Sequence, residues 1–358
     1  MAPAVMSETL RDSNSLHPLE VHWVASRADA NELKHMLKGS VVASVGAERG
    51  SCDACDARDA VSDSLAQLNQ VDFGFLIVVA PIGRMDVQAA LHSSGHDYVI
   101  TDFIVHADAK LLLLSATSED AFDVGPDLIE AVEHATRVEL RGEPFEDSSA
   151  WVRVFHPNVP ILGATDNTMR SVRYDWPSIA RELATLERSA TNFHKRSPER
   201  VVLGFRRARP FHPARLSALF DVWPAGVVRT LGTIWLATRA EQAIELDQKG
   251  RACFEMRAEG EWLARLSADE LLEVRRQRPD LLTHWDARYG DRATSLVVAG
   301  RDFDPCALEQ ALEACVLTDL ELRRSWGVLT DPFPFLNDET VAPSPHLRLL
   351  GSKEREEP

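Results

Sequence analysis

Cys52 and Cys55 stand at Cys-x-x-Cys spacing in Ser51-Cys52-Asp53-Ala54-Cys55. Two thiolates so placed can share one tetrahedral Zn²⁺, and a tight site needs one or two further ligands. His92 and His96, at i and i+4 in Leu91-His92-Ser93-Ser94-Gly95-His96, are the candidates for those positions. The competing reading makes them an exposed helix end, because short motif matches carry false positives. A helix predicted after the cysteine pair would set its positive N-terminal end beside the thiols and favour thiolate. A thioredoxin-like redox role finds less support, since Arg49-Gly50-Ser51 supplies no aromatic setting. The chain has five cysteines, an odd and sparse number that does not make a disulfide framework.

A second cluster, Arg206, Arg207 and Arg209, forms a local basic patch in an acidic chain. It reads as an interaction patch or, on the plainer view, as a solvated strand end. The 358 residues carry a net charge of −16, and residues 1–200 hold 18 Lys and Arg against 30 Asp and Glu. Such a balance excludes non-specific nucleic-acid binding, which needs cations to displace counterions. No apolar run approaches the ~20 residues of a membrane span, and the N-terminus lacks a basic-then-apolar signal pattern. No membrane partner is expected, and the expected address is cytoplasmic.

The segment after the first predicted strand is informative for what it lacks. A phosphate-cradling loop needs glycines, so that backbone amides can wrap the phosphates, then Lys and Ser or Thr. Val24-Ala25-Ser26-Arg27-Ala28-Asp29-Ala30-Asn31-Glu32-Leu33-Lys34-His35 has no glycine, and the first in the chain is Gly39. Lys34 is followed by His35, and Asp29 and Glu32 put carboxylates where a triphosphate would lie. GTP is therefore not an expected cofactor.

These residues are positioned by alternating elements. Strands are predicted at 19–25, 41–45, 73–80, 98–105, 110–114 and 137–140, with helices at 29–38, 60–68 and 126–134. The apolar run at 73–80 reads as a buried parallel strand, and the alternation predicts a doubly wound α/β domain over residues 17–190, after a leader at 1–16. A helix is predicted at 175–190, then a polar linker at 191–200 containing Pro198. Residues 201–335 read as strand, helix, strand, strand, helical insertion, strand and helix, an α+β ferredoxin-like order. A flexible tail is expected at 336–358. Cys306 and Cys315, on one predicted helix, are expected to be buried.

Arg209-Pro210-Phe211-His212-Pro213, then Val227 to Ala237, then Gly290-Asp291-Arg292 and Gly300-Arg301-Asp302 occur in an order that resembles the C-terminal domain of the CobW family, GTP-dependent proteins of metal homeostasis. His212, between its prolines, is expected to lock a strand-to-helix corner. The N-terminal order is similar to the CobW G domain, a P-loop NTPase scaffold, but degenerate. Val79-Ala80-Pro81 replaces the family's acidic residue after the third strand, and Arg141-Gly142-Glu143-Pro144 its base-reading Asn-Lys-x-Asp. Cys52 and Cys55 fall where the family carries Cys-x-Cys-Cys, so they are read either as a zinc-reading pair or as an inherited vestige. The resemblance extends to an actinobacterial subset that lacks the phosphate loop and includes a mycobacterial recruitment factor for a ribosome-hibernation protein. It implies a non-enzymatic pseudo-GTPase adaptor of the zinc-starvation response. Implied partners are a hibernation factor and the small ribosomal subunit, and the implied metal is zinc. Alternatives are a GTP-dependent zinc or cobalt metallochaperone and a metal-independent interaction scaffold.

Overall fold

The computed structural model describes residues 17–45, 53–68, 74–94, 97–120, 123–163, 172–333 and 348–349. The expected leader and most of the expected tail lie outside the described residues. The chain divides into two compact units, Met1–Pro177 and Ser178–Pro358.

The first unit alternates β1 (His17–Val24), α1 (Arg27–Met36), β2 (Val41–Ala43), α2 (Asp53–Ala66), β3 (Gly74–Val79), α3 (Arg84–Ser94), β4 (Tyr98–Asp108), α4 (Ala109–Thr117), α5 (Gly125–Glu133), β5 (Arg137–Arg141), α6 (Phe145–Phe155) and β6 (Ile161–Gly163). Its six strands pair in parallel in the order β2-β3-β1-β4-β5-β6. This is the doubly wound sheet expected from the alternation. Its central strands are apolar because both faces are covered: Leu19, Val21 and Trp23 of β1 and Leu76, Ile77 and Val78 of β3 are fully buried. Strand order reverses direction at β1, and in such sheets the crevice for a ligand opens beyond the C-terminal strand ends at the reversal. Val24 pairs with His106 there, so β1 and β4 end almost level.

One predicted strand is a helix. The apolar run at 110–114 lies in α4, whose N-cap Asp108 accepts from the Leu111 amide at 2.9 Å. Four leucines in a row carry no period, so the cap and the flanking alanines decide between strand and helix. Leu112 is buried while Leu114 faces out.

The second unit runs α7 (Ser178–Ser189), β7 (Phe193–Arg196), β8 (Val201–Arg207), α8 (Pro213–Phe220), β9 (Val227–Ile234), β10 (Gln242–Lys249), β11 (Cys253–Glu261), α9 (Ala268–Gln277), β12 (Thr294–Gly300), α10 (Pro305–Cys315) and β13 (Arg348–Leu349). The sheet order is β13-β11-β10-β9-β12-β8-β7, antiparallel except for β13. Leu203, Phe205, Leu246, Leu296 and Val298 face α8 and α10, closing a core with Phe211, Leu216, Leu308 and Leu312. The α+β character is as expected, with β10 added between the strands the sequence suggested.

The domain boundary lies earlier than 190. The predicted helix at 175–190 is α7, and it packs on β8, β9 and β12 of the second unit. Val202, Val297 and Ala299, alternating with the core residues, offer it an apolar face, and Ile179 and Leu186 bury against that side of the unit. Glu182 on α7 takes both Arg200 Nη atoms at 2.9 Å, out of water. The expected linker at 191–200 instead carries β7, an edge strand on β8. Cys315 is buried as expected, but Cys306 is exposed, because it sits in the first turn of α10 beside the sheet's β7 edge.

The corner at Arg209–Pro213 ties the unit together by backbone hydrogen bonds. Phe211 N–H donates to Trp235 O (2.8 Å), His212 N–H to Cys315 O (2.8 Å), and Leu317 N–H to Pro210 O (3.0 Å). His212 also accepts at its carbonyl from Leu216 (3.1 Å), opening α8 with Pro213 at its first position. The structural role expected for this residue follows from those bonds.

Candidate functional site

At the sheet's reversal point the β1–α1 turn is closed by its own side chains. Ser26 is extended, and its hydroxyl accepts from the Asp29 amide at 3.2 Å while donating to Asp29 Oδ2 at 2.5 Å. A free helix N-terminus attracts anions through unpaired amides and the positive end of the dipole. Here Ser26 takes one of those amides, and the Asp29 carboxylate already occupies the favourable position for negative charge. Glu32, one turn on, lies 4.0 Å from Arg141 at the end of β5. Asp108 closes β4 across the crevice, and a Cβ built on Gly142 (φ +79°) would lie 3.3 Å from its Oδ2. The rim therefore presents the carboxylates of Asp29, Glu32 and Asp108, a poor setting for a polyphosphate.

Beneath this rim lies a feature the sequence reading missed. His22 Nδ1 on β1 and His106 Nε2 on β4 are 2.9 Å apart, and both rings are buried. The outer nitrogens each meet a carboxylate: His22 Nε2 lies 2.8 Å from Glu20, and His106 Nδ1 lies 3.1 Å from Glu139. Both outer contacts are within ion-pair reach but out of line for a hydrogen bond. Arg137 braces Glu139 from the far side at 3.2 Å. Only the inner contact is placed as a hydrogen bond, so one ring donates there and the other accepts. Burial pushes His106 below the ordinary histidine value, against the pull of Glu139 and helped by His22 and Arg141. Contact with the His106 ring, against burial and with help from Arg137, holds the Glu139 carboxyl down at about 2. The signal in the sequence was a histidine next to apolar residues in each of two strands, at positions whose pairing only the register reveals.

The residues singled out from sequence have separate fates. Cys52 and His96 lie outside the described residues, and so does the side chain of Cys55, whose backbone is in α2. His92 is exposed in the last turn of α3. Among the described residues no three His, Cys, Asp or Glu side chains converge as a metal-binding group. The arginines do not form one surface. Arg206 and Arg207 are neighbours on β8 and point to opposite faces. Arg206 reaches Ser295 Oγ at 2.6 Å, and burial lowers its pKa while Glu187 opposes the shift. Arg207 pairs with Glu313 at 2.5 Å and Glu309 at 3.8 Å, and Arg209 with Asp319 at 2.9 Å. Each guanidinium of the expected patch has a polar partner.

Residues 201–316 match the family described as the cobalamin synthesis protein cobW C-terminal domain. The chain contains a cobW C-terminal domain. The match begins at the first residue of β8 and ends one residue after α10, so it leaves out α7, β7 and β13 of the same unit. Among curated relatives, a protein named zinc chaperone Rv0106 of Mycobacterium tuberculosis is 37% identical over 146 residues, 39% of this chain and 36% of the relative. An uncharacterized protein, Mb0109 of Mycobacterium bovis, matches with the same figures. The shared stretch is thus little more than a third of either relative. Among solved structures, the Zn(II)-bound YjiA GTPase from E. coli superposes at 11% identity and a TM-score of 0.30, covering 85% of this chain and 100% of that one. A Zn(II)-bound triple mutant of the same GTPase gives 0.31 at 11% identity, over 84% of this chain and 99% of that one. These superpositions are too loose to argue from. No helix among the described residues is long and apolar enough to cross a membrane.

Proposed function

We propose that this chain is a zinc-related protein of metallochaperone type whose N-terminal unit no longer handles GTP. The observation that carries the reading is the β1–α1 corner, where Ser26 and Asp29 close the helix end that a nucleotide phosphate would need. A cobW C-terminal domain and a relative named as a zinc chaperone support the zinc connection. On this reading Cys52 and Cys55 report zinc. The protein acts as a non-enzymatic adaptor, with a ribosome-hibernation factor and the small ribosomal subunit as its partners and the cytoplasm as its address.

The test is a titration of reduced protein with Zn²⁺ against a competing chelator, on the wild type and on Cys52→Ser/Cys55→Ser, with GTP in parallel. Loss in the double variant of one tight zinc equivalent that the wild type holds against the chelator, with no response to GTP near millimolar concentration, is the expected result. A GTP-dependent change in zinc affinity would overturn the pseudo-GTPase reading. Zinc binding alike in both proteins would remove the cysteine pair from it. The adaptor role is checked by co-sedimentation with small ribosomal subunits, with and without a zinc chelator; indifference to the chelator would sink it.

A further inference from the structure

The first turn of α10 and the edge strand β7 bring together a cysteine, a histidine and a glutamate that none of the readings above uses. Cys306 Sγ lies 3.7 Å from His194 Nδ1, and His194 Nε2 lies 2.8 Å from Glu309 Oε2. Glu309 is one helical turn beyond Cys306, so both project on the same side of α10. Three groups hold Glu309 in place: Asn192 Nδ2 donates to Oε1 at 2.5 Å, His194 contacts Oε2, and Arg207 approaches at 3.8 Å. Burial would raise this carboxyl, but the Asn192 and His194 contacts and the Arg207 charge hold it below the usual range. A carboxylate only accepts, so Nε2 carries the ring proton and the Nδ1 lone pair faces the thiol.

The geometry points to Cys306 and His194 as a solvent-open, two-ligand site for a thiophilic divalent cation of the Zn²⁺ class, with Glu309 orienting the imidazole. Zinc–sulfur and zinc–nitrogen bonds at a tetrahedral angle place the two ligand atoms about 3.6 Å apart, and the observed 3.7 Å matches that separation. A histidine whose far nitrogen is held by a carboxylate is the usual form of a metal-ligating imidazole. The same trio is the outline of a nucleophilic triad. That reading fails on the donor a triad needs beside the sulfur: the Cys306 amide is taken by Asp304 Oδ1 at 2.9 Å. A carboxylate at that place repels an oxyanion and favours a cation. Binding replaces the thiol proton: the S–H bond breaks, metal–sulfur and metal–nitrogen bonds form, and the proton leaves to solvent. With two protein ligands the remaining positions belong to water or to a donor from another molecule, which suits exchange rather than storage. The site stands on the second unit alone and does not require the proposed function.

The test uses the full chain carrying Cys52→Ser/Cys55→Ser, with Co²⁺ as the spectroscopic probe. A thiolate-to-Co²⁺ charge-transfer band is expected in this background, removed by added Cys306→Ser or His194→Ala and bleached by Zn²⁺. Glu309→Gln, a conservative change, should weaken Co²⁺ binding about tenfold or more. No band in the double variant, or a band that survives Cys306→Ser, overturns the proposal. So does rapid alkylation of Cys306 by iodoacetamide that neither metal slows, which would make the trio a thiolate nucleophile. Because Cys52 and Cys55 are already removed, failure here leaves the proposed function standing, and failure there leaves this site standing.

Discussion

His22 and His106 face each other across β1 and β4 at 2.9 Å, ring against ring at an interplanar angle of 21°, with a carboxylate at each end of the pair. A buried pair of this kind ties stability to pH. Burial lowers the His106 pKa, so the unfolded chain takes up a proton at this residue before the folded chain does. The stability it contributes is complete above the unfolded value of about 6.5 and drains as pH falls through it. Glu139 acts in a second window, because its folded value of about 2 lies below its ordinary 4.5. Its contribution is present above that ordinary value and is lost between there and about 2. Urea midpoints measured from neutral to acid pH should fall through the histidine window, and His106→Leu should flatten that part of the curve. An unchanged slope in the variant would refute the assignment.

The Ser26–Asp29 cap predicts a separation of stability from ligand binding. Ser26→Ala should cost about 1 kcal/mol, the usual worth of an N-cap side chain, read from denaturant midpoints. Neither this variant nor Asp29→Gly should gain measurable affinity for GTP, because the turn still lacks glycines to wrap a phosphate. Nucleotide binding acquired on opening the cap would show that these two residues alone block the site.

The Glu182–Arg200 pair fixes the domain boundary energetically. Both side chains are buried and bonded in two places, so Glu182→Ala takes from the buried Arg200 guanidinium its two-point partner. A loss of about 3 kcal/mol is expected. A double variant with apolar residues of similar volume at both positions should recover much of it. If α7 belonged to the first unit, the single change would leave the unfolding of an isolated 178–333 fragment untouched.

Gly300 predicts a sharper effect. A Cβ at this position would lie 2.0 Å from the Gly226 carbonyl, the same carbonyl that accepts from Arg301 N–H at 2.8 Å. Backbone cannot retreat as a side-chain tip can, so Gly300→Ala should destabilise the second unit by at least about 2 kcal/mol. Soluble expression and a thermal melt suffice as the check. A melt within a degree or two of wild type would mean that β9 and β12 can part at no cost.

The sequence alone determined the α/β alternation of the first unit, the α+β order of the second, and the lack of a phosphate loop. Each of these is written in local signals: apolar period, turn residues, and the presence or absence of glycine in a twelve-residue stretch. The Arg209–Pro213 corner was legible for the same reason, since prolines constrain the backbone wherever the chain goes. Tertiary structure decided the rest. Leu111–Leu114 became a helix because of a cap at Asp108, and α7 joined the second unit because the far face of β8 and β12 is apolar. Arg206 and Arg207, adjacent in sequence, parted to opposite faces by strand alternation. The two chemically suggestive groupings join distant residues, His22 with His106 and Cys306 with His194. Parallel register sets the first, and the packing of α10 against an edge strand sets the second. Side-chain chemistry can be read from a sequence, but which side chains meet depends on pairings that local pattern does not encode.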